Sequence, residues 1–247
     1  MKSLKLLSVI LLLIVNLYAN ESISSFDQSK KLLRDIYKDH QVTFYANCKY
    51  NYKDKNNMID KSSCGYVPRN AYTKSGKKNE RANRIEWEHI IPAENFGRQF
   101  ACWREGDEQC VDSKGKAYKG RKCCSKVNQQ FKYMEADLHN LVPAIGELNA
   151  DRSNFKYAII EGEERVYGKD VDFEVDFKNK RVEPKEDIRG NIARTYFYFE
   201  EQYKMRISKQ ERQLFKTWDK LDPVDGWEIE RNKRIEKIQG NKNQFIK

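Results

Sequence analysis

The sequence has no apolar stretch long enough to cross a membrane comfortably. The longest run spans residues 6–15 and is interrupted only by Ser8, whereas a membrane-spanning helix needs about 20 apolar residues. Two lysines precede this run, and a site suited to cleavage follows it at Ala19. Residues 1–19 are therefore interpreted as a secretory signal peptide. We expect residues 20–247 to form an exported mature protein without stable membrane association.

The sequence also lacks a Cys-x-x-Cys pair, and this absence disfavours the common zinc sites. No cysteine closely follows the apolar run, where a lipid anchor would attach. In an exported protein, an even number of cysteines favours disulfides. We predict a local bridge between Cys48 and Cys64, and expect the other four to staple the segment that they enclose. Adjacent Cys123 and Cys124 should not pair with each other, because that bond is strained. The other four cysteines are Cys102, Cys110, Cys123 and Cys124.

Internal repeats, low-complexity linkers and a second-domain boundary are missing as well, so a single domain is predicted. Its length is sufficient to bury a core, and 14 Tyr, 12 Phe and 4 Trp supply large core side chains. The net charge is +10, and subtracting the two lysines of residues 1–19 leaves +8. A basic surface attracts nucleic acid, anionic membranes or acidic glycans, but this charge alone does not choose among them.

The apolar pattern predicts a mixture of helices and strands. Helices are expected at 26–39, 126–134, 143–157, 188–206, 208–221 and 225–239, strands at 42–50, 85–91 and 171–182, a short extended piece at 65–68, and loops at 53–61, 74–84 and 102–125. Ser25 or Ser24 could cap the first helix, and Ser208 with Glu211 fits a capping box. The basic segment 74–84 is interpreted as a solvated loop, with a phosphate contact as the alternative.

Histidine is scarce, and His89 directly follows Glu88 at the end of a predicted strand. Phosphodiester hydrolysis needs a base, for which neutral imidazole is suited near pH 7, and a hard divalent cation with oxygen ligands. Successive side chains of a regular strand point to opposite faces, so spacing alone favours a surface ion pair over a shared site. Both residues could act together only if the strand ends or bends there, as Pro92 suggests.

Several longer motifs follow one another along the chain. They are Glu86–Ala93, Gly97–Gln99, Cys102–Trp103, Gly120–Lys122, Met134–Pro143 and Gly146–Phe155, with Val175–Lys178, Val182–Pro184, Arg189–Tyr196, Trp227–Ile235 and Gln239–Asn241 towards the C-terminus. In this order they resemble the bacterial periplasmic or secreted endonuclease I family. The resemblance covers most of the expected mature chain.

This resemblance implies an α+β fold, with a single mixed domain, a ββα-metal (His-Me finger) nuclease core, additional helices and disulfide-stapled loops. It implies that His89 is the general base and that Glu88 and Asn149 hold one Mg²⁺, for which Ca²⁺ or Mn²⁺ could substitute. Arg121 would contact the scissile phosphate. Glu135 matches an active-site acid of the family.

The family's Asp-x-His-Asn motif matches Asp137, His139 and Asn140, which are expected to support the site from behind. For His139 a purely structural role is an equally good interpretation. The segment 105–120 is longer than is usual in the family. Cys110 and Cys123 look like an added pair within it, and Lys119 and Lys122 are nearby alternatives to Arg121.

The sequence thus predicts an exported, monomeric endonuclease, periplasmic or secreted, that cleaves DNA and also RNA. No base-reading motif accompanies the scattered lysines and arginines, so sequence preference is not expected. One alternative is a non-catalytic, basic nucleic-acid-binding module with a Cys-rich structural zinc site. Another is a degenerate nuclease that only binds, but the presence of Glu88, His89, Arg121 and Asn149 argues against it.

Overall fold

The computed structural model describes residues 22–52, 58–162 and 164–247. The predicted signal peptide and part of the predicted loop 53–61 lie outside these ranges. The helices are α1 (Phe26–Ile36), α2 (Ala93–Gly97), α3 (Ala101–Arg104), α4 (Arg121–Val127), α5 (Gln129–Ala136), α6 (Gly146–Arg152), α7 (Arg189–Tyr203), α8 (Lys209–Leu221) and α9 (Gly226–Gln239). The strands are β1 (Lys49–Tyr50), β2 (Ile59–Asp60), β3 (Ile85–His89), β4 (Leu141–Ile145), β5 (Lys156–Tyr157), β6 (Phe173–Asp176) and β7 (Arg181–Pro184). None of the helices in these ranges has the length and apolarity of a membrane span.

The strands form small separate sheets between the helices, and the predicted α+β class is confirmed. The pairs β1–β2 and β3–β4 are antiparallel, whereas β7 lies between β5 and β6 in a mixed sheet. In the β3–β4 ribbon, Ile85 pairs with Ile145 and His89 with Leu141. Helix α6 begins directly after β4, so β3, β4 and α6 form a ββα unit.

The helix predicted at 143–157 is wrong at both ends, because residues Leu141–Ile145 form the fully buried strand β4 and residues Lys156–Tyr157 form strand β5. A short apolar run fits a buried strand as well as a helix. Pro143 is tolerated because β4 pairs only with β3 among the described strands, and proline is accepted where a strand has a free edge. The Pro143 carbonyl still accepts a hydrogen bond from the Phe44 amide at 2.8 Å.

The strand predicted at 42–50 is also largely wrong. The chain turns at residues 44–46, and Asn47 adopts a φ of 55°, a conformation that asparagine tolerates better than most residues. The Thr43 hydroxyl accepts a hydrogen bond from the Cys48 amide at 2.9 Å. These contacts leave only Lys49–Tyr50 in strand β1.

The helix predictions in the last third are confirmed within a few residues. Ser208 and Glu211 form the expected capping box of α8, and Asp225 with Glu228 forms a second one on α9. At the other end of the chain, the Ser25 side chain caps α1. The first helix is shorter than predicted and ends at Ile36. The polar caps predicted from the sequence therefore mark the beginnings of α1 and α8 correctly.

All six cysteines form disulfides, as predicted for an exported protein. The bridge Cys48–Cys64 is the one expected, and the other two are Cys102–Cys124 and Cys110–Cys123. The predicted loop 102–125 is wrong at both ends, because Cys102 lies on α3 and the two adjacent cysteines lie on α4. With no free cysteine in the described residues, the alternative of a cysteine zinc site loses its thiol ligands.

Candidate active site

An open cleft of about 810 Å³ runs along β3. Four of the predicted site residues line it: Glu88, His89, Arg121 and Asn149. The remaining lining residues are Phe26, Asp27, Lys30, Lys31, Arg34, Arg81, Ile85, Glu86 and Trp87. Residues from α1, β3, α4 and α6 thus meet at one place, and the lining contains five Lys and Arg side chains and three acidic ones.

His89 is the last residue of β3, and its imidazole is almost completely buried. Its Nε2 lies 2.8 Å from the backbone carbonyl oxygen of Glu135. Since a carbonyl only accepts, Nε2–H must donate, and the neutral ring keeps its lone pair on Nδ1. Burial is the main cause that lowers the pKa of His89 to about 3, and Arg121 acts in the same direction. The imidazole is therefore neutral near pH 7 and can accept a proton.

Glu88 is a buried carboxylate with an oxygen that lacks a hydrogen-bond donor. In the described residues Oε1 accepts no hydrogen bond, and Arg152 Nη1 approaches it only to 3.3 Å. Burial raises the pKa of Glu88 to about 7, although Arg152 opposes this effect. A buried carboxylate oxygen without a hydrogen-bond donor is suited to bind a cation, because native structures rarely leave such atoms without a partner.

Asn149 supplies a second oxygen to the cleft from α6. Its Nδ2 donates to Glu86 Oε2 at 3.1 Å, which leaves Oδ1 available to a cation. The described residues contain no group of three His, Cys, Asp or Glu side chains that could hold a metal by themselves. One carboxylate and one amide oxygen suit Mg²⁺, which keeps several of its own waters.

Strand β3 ends at His89, three residues before Pro92. Arg152 is fully buried behind this end, where its Nη1 donates to the His89 carbonyl at 3.2 Å and its Nη2 donates to the Ile90 carbonyl. These contacts fix the backbone where strand geometry stops. Glu88 and His89, although adjacent in sequence, both line the cleft.

Arg121 begins α4, and its side chain is about half exposed. Its Nε donates to Glu135 Oε1 at 2.5 Å, and the hydroxyl of Ser125 donates to the other oxygen at 2.9 Å. Glu135 does not itself line the cleft, but it holds Arg121 through its side chain and His89 through its carbonyl. Of the nearby lysines, Lys119 donates to the Arg104 carbonyl instead.

The residues of the Asp-x-His-Asn motif lie behind the cleft and are completely buried. Asn140 pairs with both backbone groups of Ile91, accepting at 2.7 Å and donating at 3.1 Å, and so fixes the chain just after β3. The Asp137 carboxylate accepts a hydrogen bond from the Tyr198 hydroxyl at 2.8 Å. His139 lies 4.7 Å from the same tyrosine ring. None of the three motif residues lines the cleft.

Sequence reasoning missed Glu86, Arg81 and Arg152 as parts of this site. Arg81 donates to both oxygens of Glu86, at 2.9 and 2.5 Å, and Glu86 in turn holds Asn149. One signal was available, because Glu86 lies two residues before Glu88 and so shares a face of the strand with it. The contacts of Arg152 offered no comparable signal, since they span more than 60 residues.

A ββα unit with a histidine closing its first strand, an asparagine on its helix and a cation-lined cleft defines an α+β nuclease. The chain belongs to the Endonuclease I family, whose model matches residues 25–247.

Relatives of the chain are named as nucleases. It is 44% identical to an extracellular deoxyribonuclease of Aeromonas hydrophila, over 98% of this chain and 96% of that protein. It is 45% identical to a periplasmic deoxyribonuclease of the same species, over 98% and 94%. An extracellular ribonuclease of Bacillus subtilis is 29% identical over 44% of this chain and 43% of its own length. The predicted periplasmic or extracellular location is confirmed by these relatives.

Proposed function

We propose that this protein is a Mg²⁺-dependent endonuclease that hydrolyses phosphodiester bonds of DNA and also of RNA, without sequence preference. The observation that carries the proposal is the meeting of Glu88, His89, Arg121 and Asn149 in one cleft. A neutral imidazole, two cation-binding oxygens and a guanidinium are the groups that this reaction requires.

His89 is proposed as the general base. The Glu135 carbonyl holds Nε2–H, so Nδ1 is the atom that takes a proton from the attacking water. As the water oxygen bonds to phosphorus, the bond from phosphorus to the leaving oxygen breaks. The low pKa of His89 means that the ring enters this step unprotonated, and a positioned base of this kind contributes about 10²–10⁴-fold to a rate.

Glu88 and Asn149 are proposed to hold the cation, with Ca²⁺ or Mn²⁺ as possible substitutes for Mg²⁺. When bound, the ion stabilises negative charge on the phosphate and on the leaving oxygen. The Glu88 carboxylate and the Asn149 amide oxygen would hold the ion, while Glu86 keeps the amide oriented through Nδ2. No third protein ligand would be needed, because Mg²⁺ usually keeps several waters and binds phosphate oxygens of its substrate.

Arg121 is proposed to contact the scissile phosphate. Its Nε is engaged by Glu135, so the two terminal nitrogens of the guanidinium can pair with phosphate oxygens. Charge-assisted pairs of this type are strong and directional. Charge that develops on the phosphate during the attack is thereby stabilised.

Helix α1 is proposed to bind the flanking backbone of the substrate. Lys30, Lys31 and Arg34 lie on the cleft, and such contacts recognise phosphates without reading bases. The names of the relatives support breadth of substrate, since two are deoxyribonucleases and the distant one is a ribonuclease. Binding should weaken steeply with salt.

The test is a digestion panel of plasmid, single-stranded DNA, duplex DNA and RNA, with Mg²⁺ and with EDTA. Wild-type protein is expected to cut all four only with the metal, and His89→Ala to lose about 10²-fold or more in rate. His40→Gln is the matched control, because His40 stacks on Trp227 and does not line the cleft. Undiminished cutting by folded His89→Ala protein would refute the assignment of the base.

A further inference from the structure

Two exposed, lysine-rich hairpins of similar geometry project from the surface, each next to a helix that contributes a residue to the cleft. We define the Lys74 arm as residues 71–79 and the Lys114 arm as residues 110–118. The first closes by a bridge between Tyr72 and Lys78, and the second by one between Val111 and Ala117. At the tip of each, a glycine adopts positive φ, 76° in the first arm and 75° in the second.

The Lys74 arm is fixed to the helix that carries Asn149. Its ends are joined by the Asn79 amide, which donates to the Ala71 carbonyl at 2.9 Å. Directly before the arm, the Asn70 amide donates to Glu147 Oε1 at 2.7 Å, and Glu147 lies on α6. Two residues beyond the arm, Arg81 enters the cleft and pairs with Glu86. The residues before and after the arm are therefore fixed to α6 and to β3, the elements that carry Asn149 and Glu88.

The Lys114 arm is fixed to the helix that carries Arg121. Within the arm, Asp112 Oδ1 accepts hydrogen bonds from the amides of Lys114 and Lys116, at 2.8 and 2.9 Å. At its base, the disulfide Cys110–Cys123 ties the arm to α4.

The lysines of both arms are exposed and available to an external anion. They are Lys74, Lys77 and Lys78 in the first arm and Lys114 and Lys116 in the second. Across the described ranges, no salt bridge engages any of these five side chains, although 19 such pairs occur elsewhere. The single carboxylate within the arms, that of Asp112, is oriented towards backbone amides.

Each arm is followed by an arginine whose contacts lead to a different end of the segment Glu86–His89 of β3. The Lys74 arm leads to Arg81, which binds Glu86, whereas the Lys114 arm leads to Arg121, which binds the residue that holds His89. Two residues lie between Glu86 and His89 on β3, so the two are three strand steps apart, which corresponds to about 10 Å.

We propose that the two arms are accessory binding sites for the phosphodiester backbone on either side of the cleaved bond. This inference rests on the proposed function for the class of its ligand. A short oligonucleotide occupies the cleft alone, whereas a longer duplex also reaches the lysines of both arms. The arms therefore favour long substrates and leave the reaction at the cleft unchanged.

The experiment uses two neutralised proteins, Lys74→Ala/Lys77→Ala/Lys78→Ala and Lys114→Ala/Lys116→Ala. The matched control is Lys209→Ala/Lys216→Ala/Lys220→Ala on α8, where the lysines are equally exposed and do not line the cleft. Binding to a 30-base-pair duplex is measured in EDTA by fluorescence anisotropy at several salt concentrations. Each lost phosphate contact should reduce the slope of log K against log salt by about 0.9.

The expected result is a slope reduced by about 2 to 3 for the first variant and by about 2 for the second, with no change for the control. Cleavage of a six-nucleotide substrate should keep its wild-type kcat/KM, while that of the long duplex falls at least several-fold. Unchanged slopes in both arm variants, or equal losses in the control, would overturn the proposal. So would arm variants that lose binding to anionic phospholipid vesicles but keep binding to the duplex.

This test separates the arms from the nuclease itself, because binding in EDTA requires no cleavage. Duplex binding that depends on the arms, without any cleavage when Mg²⁺ is added, would support the arms and refute the proposed activity. Cleavage with arm-independent binding would refute the arms alone. The thermal midpoint of each variant, compared with wild type, verifies that the surface changes leave the fold intact.

Discussion

Glu86 binds no substrate in the proposed reaction, yet it connects two walls of the cleft. Its carboxylate accepts hydrogen bonds from Arg81 and from the amide of Asn149. The contact with Asn149 bridges 63 residues of sequence. Through it, the orientation of a proposed metal-binding amide depends on a residue one pleat away from Glu88.

We expect Glu86→Ala to raise the Mg²⁺ concentration needed for half-maximal activity by about 10–100-fold, the usual effect of losing a partner behind a metal ligand. Activity at saturating Mg²⁺ should be largely recovered, because Glu88 and Asn149 themselves remain. The measurement is duplex cleavage over a Mg²⁺ titration. Glu80→Ala, which removes a neighbouring carboxylate that does not line the cleft, is the control. A loss that saturating metal does not restore would contradict the positioning role.

Single residues were predictable where a local motif carried them. The adjacent Glu88 and His89 stand out in the sequence, and the family resemblance adds Arg121 and Asn149. Arg152 was not predictable, because its contacts with the carbonyls of His89 and Ile90 arise only after folding. No local pattern in the sequence encodes contacts of this kind.

At the scale of elements, buried charge joins the three C-terminal helices. Arg194 of α7 is completely buried, and donates to Glu228 on α9 at 2.9 Å and to Asp219 of α8 at 2.9 Å. Removing one member of a buried pair leaves the other charge without compensation. These helices lie outside the cleft and contribute none of its lining residues.

Arg194→Ala is expected to lower the free energy of unfolding by about 3–5 kcal/mol while leaving KM unchanged below the unfolding transition. Urea unfolding followed by tyrosine and tryptophan fluorescence measures the first quantity. The matched control is Arg212→Ala, which removes a partly exposed pair with Glu200 and should cost about 0–1 kcal/mol. Equal losses in the two variants would show that the buried pair does not join the helices.

Helices were easier to predict than strands. The C-terminal helices have polar caps and long periodic patterns, which are local signals. Residues 143–145 of strand β4 were predicted to be helical, because the five buried residues of this strand carry no alternation and include a proline. Its conformation depends on pairing with β3 more than 50 residues earlier. Long-range pairing of this type is invisible in a single sequence.

At the scale of the whole molecule, two neutral histidines, His89 and His139, are buried. Burial is the main cause that lowers the pKa of His139 to about 4, with Asp137 opposing and Arg231 reinforcing the effect. As the pH falls below about 6.5, His139 becomes protonated in the unfolded chain. In the folded protein, it stays neutral until the pH approaches about 4. The unfolded state therefore binds more protons, and stability decreases with falling pH.

We expect His139 to reduce the free energy of unfolding by up to about 3 kcal/mol between pH 6.5 and 4. His139→Gln should show a flatter pH dependence than wild type, measured by urea unfolding at each pH in metal-free buffer. His89 acts in the same direction, whereas the raised pKa of Glu88 acts in the opposite direction. The difference between the two proteins isolates His139, and parallel curves would contradict the prediction.

The whole molecule was predicted in class but not in arrangement. Composition and cysteine number indicated one exported, disulfide-bonded domain, and the structure confirms the single domain and the disulfides. That the strands form separate small sheets was not predictable, since sheet membership depends on contacts between distant segments. The net positive charge also did not reveal where a substrate binds, because only the folded structure shows which Lys and Arg side chains line the cleft.

The two adjacent cysteines of α4 allow an alternative disulfide pairing during oxidative folding. In the native protein Cys124 pairs with Cys102 and Cys123 with Cys110. In the alternative pairing each of the two adjacent cysteines takes the other's partner, which differs by a single helical position. One position corresponds to a rotation of about 100° around the helix axis, enough to turn Arg121 away from Glu135. A mispaired isomer could thus be compact and fully oxidised, yet inactive. Catalytic activity would then report on the fidelity of the cell's disulfide isomerisation as well as on the amount of enzyme exported.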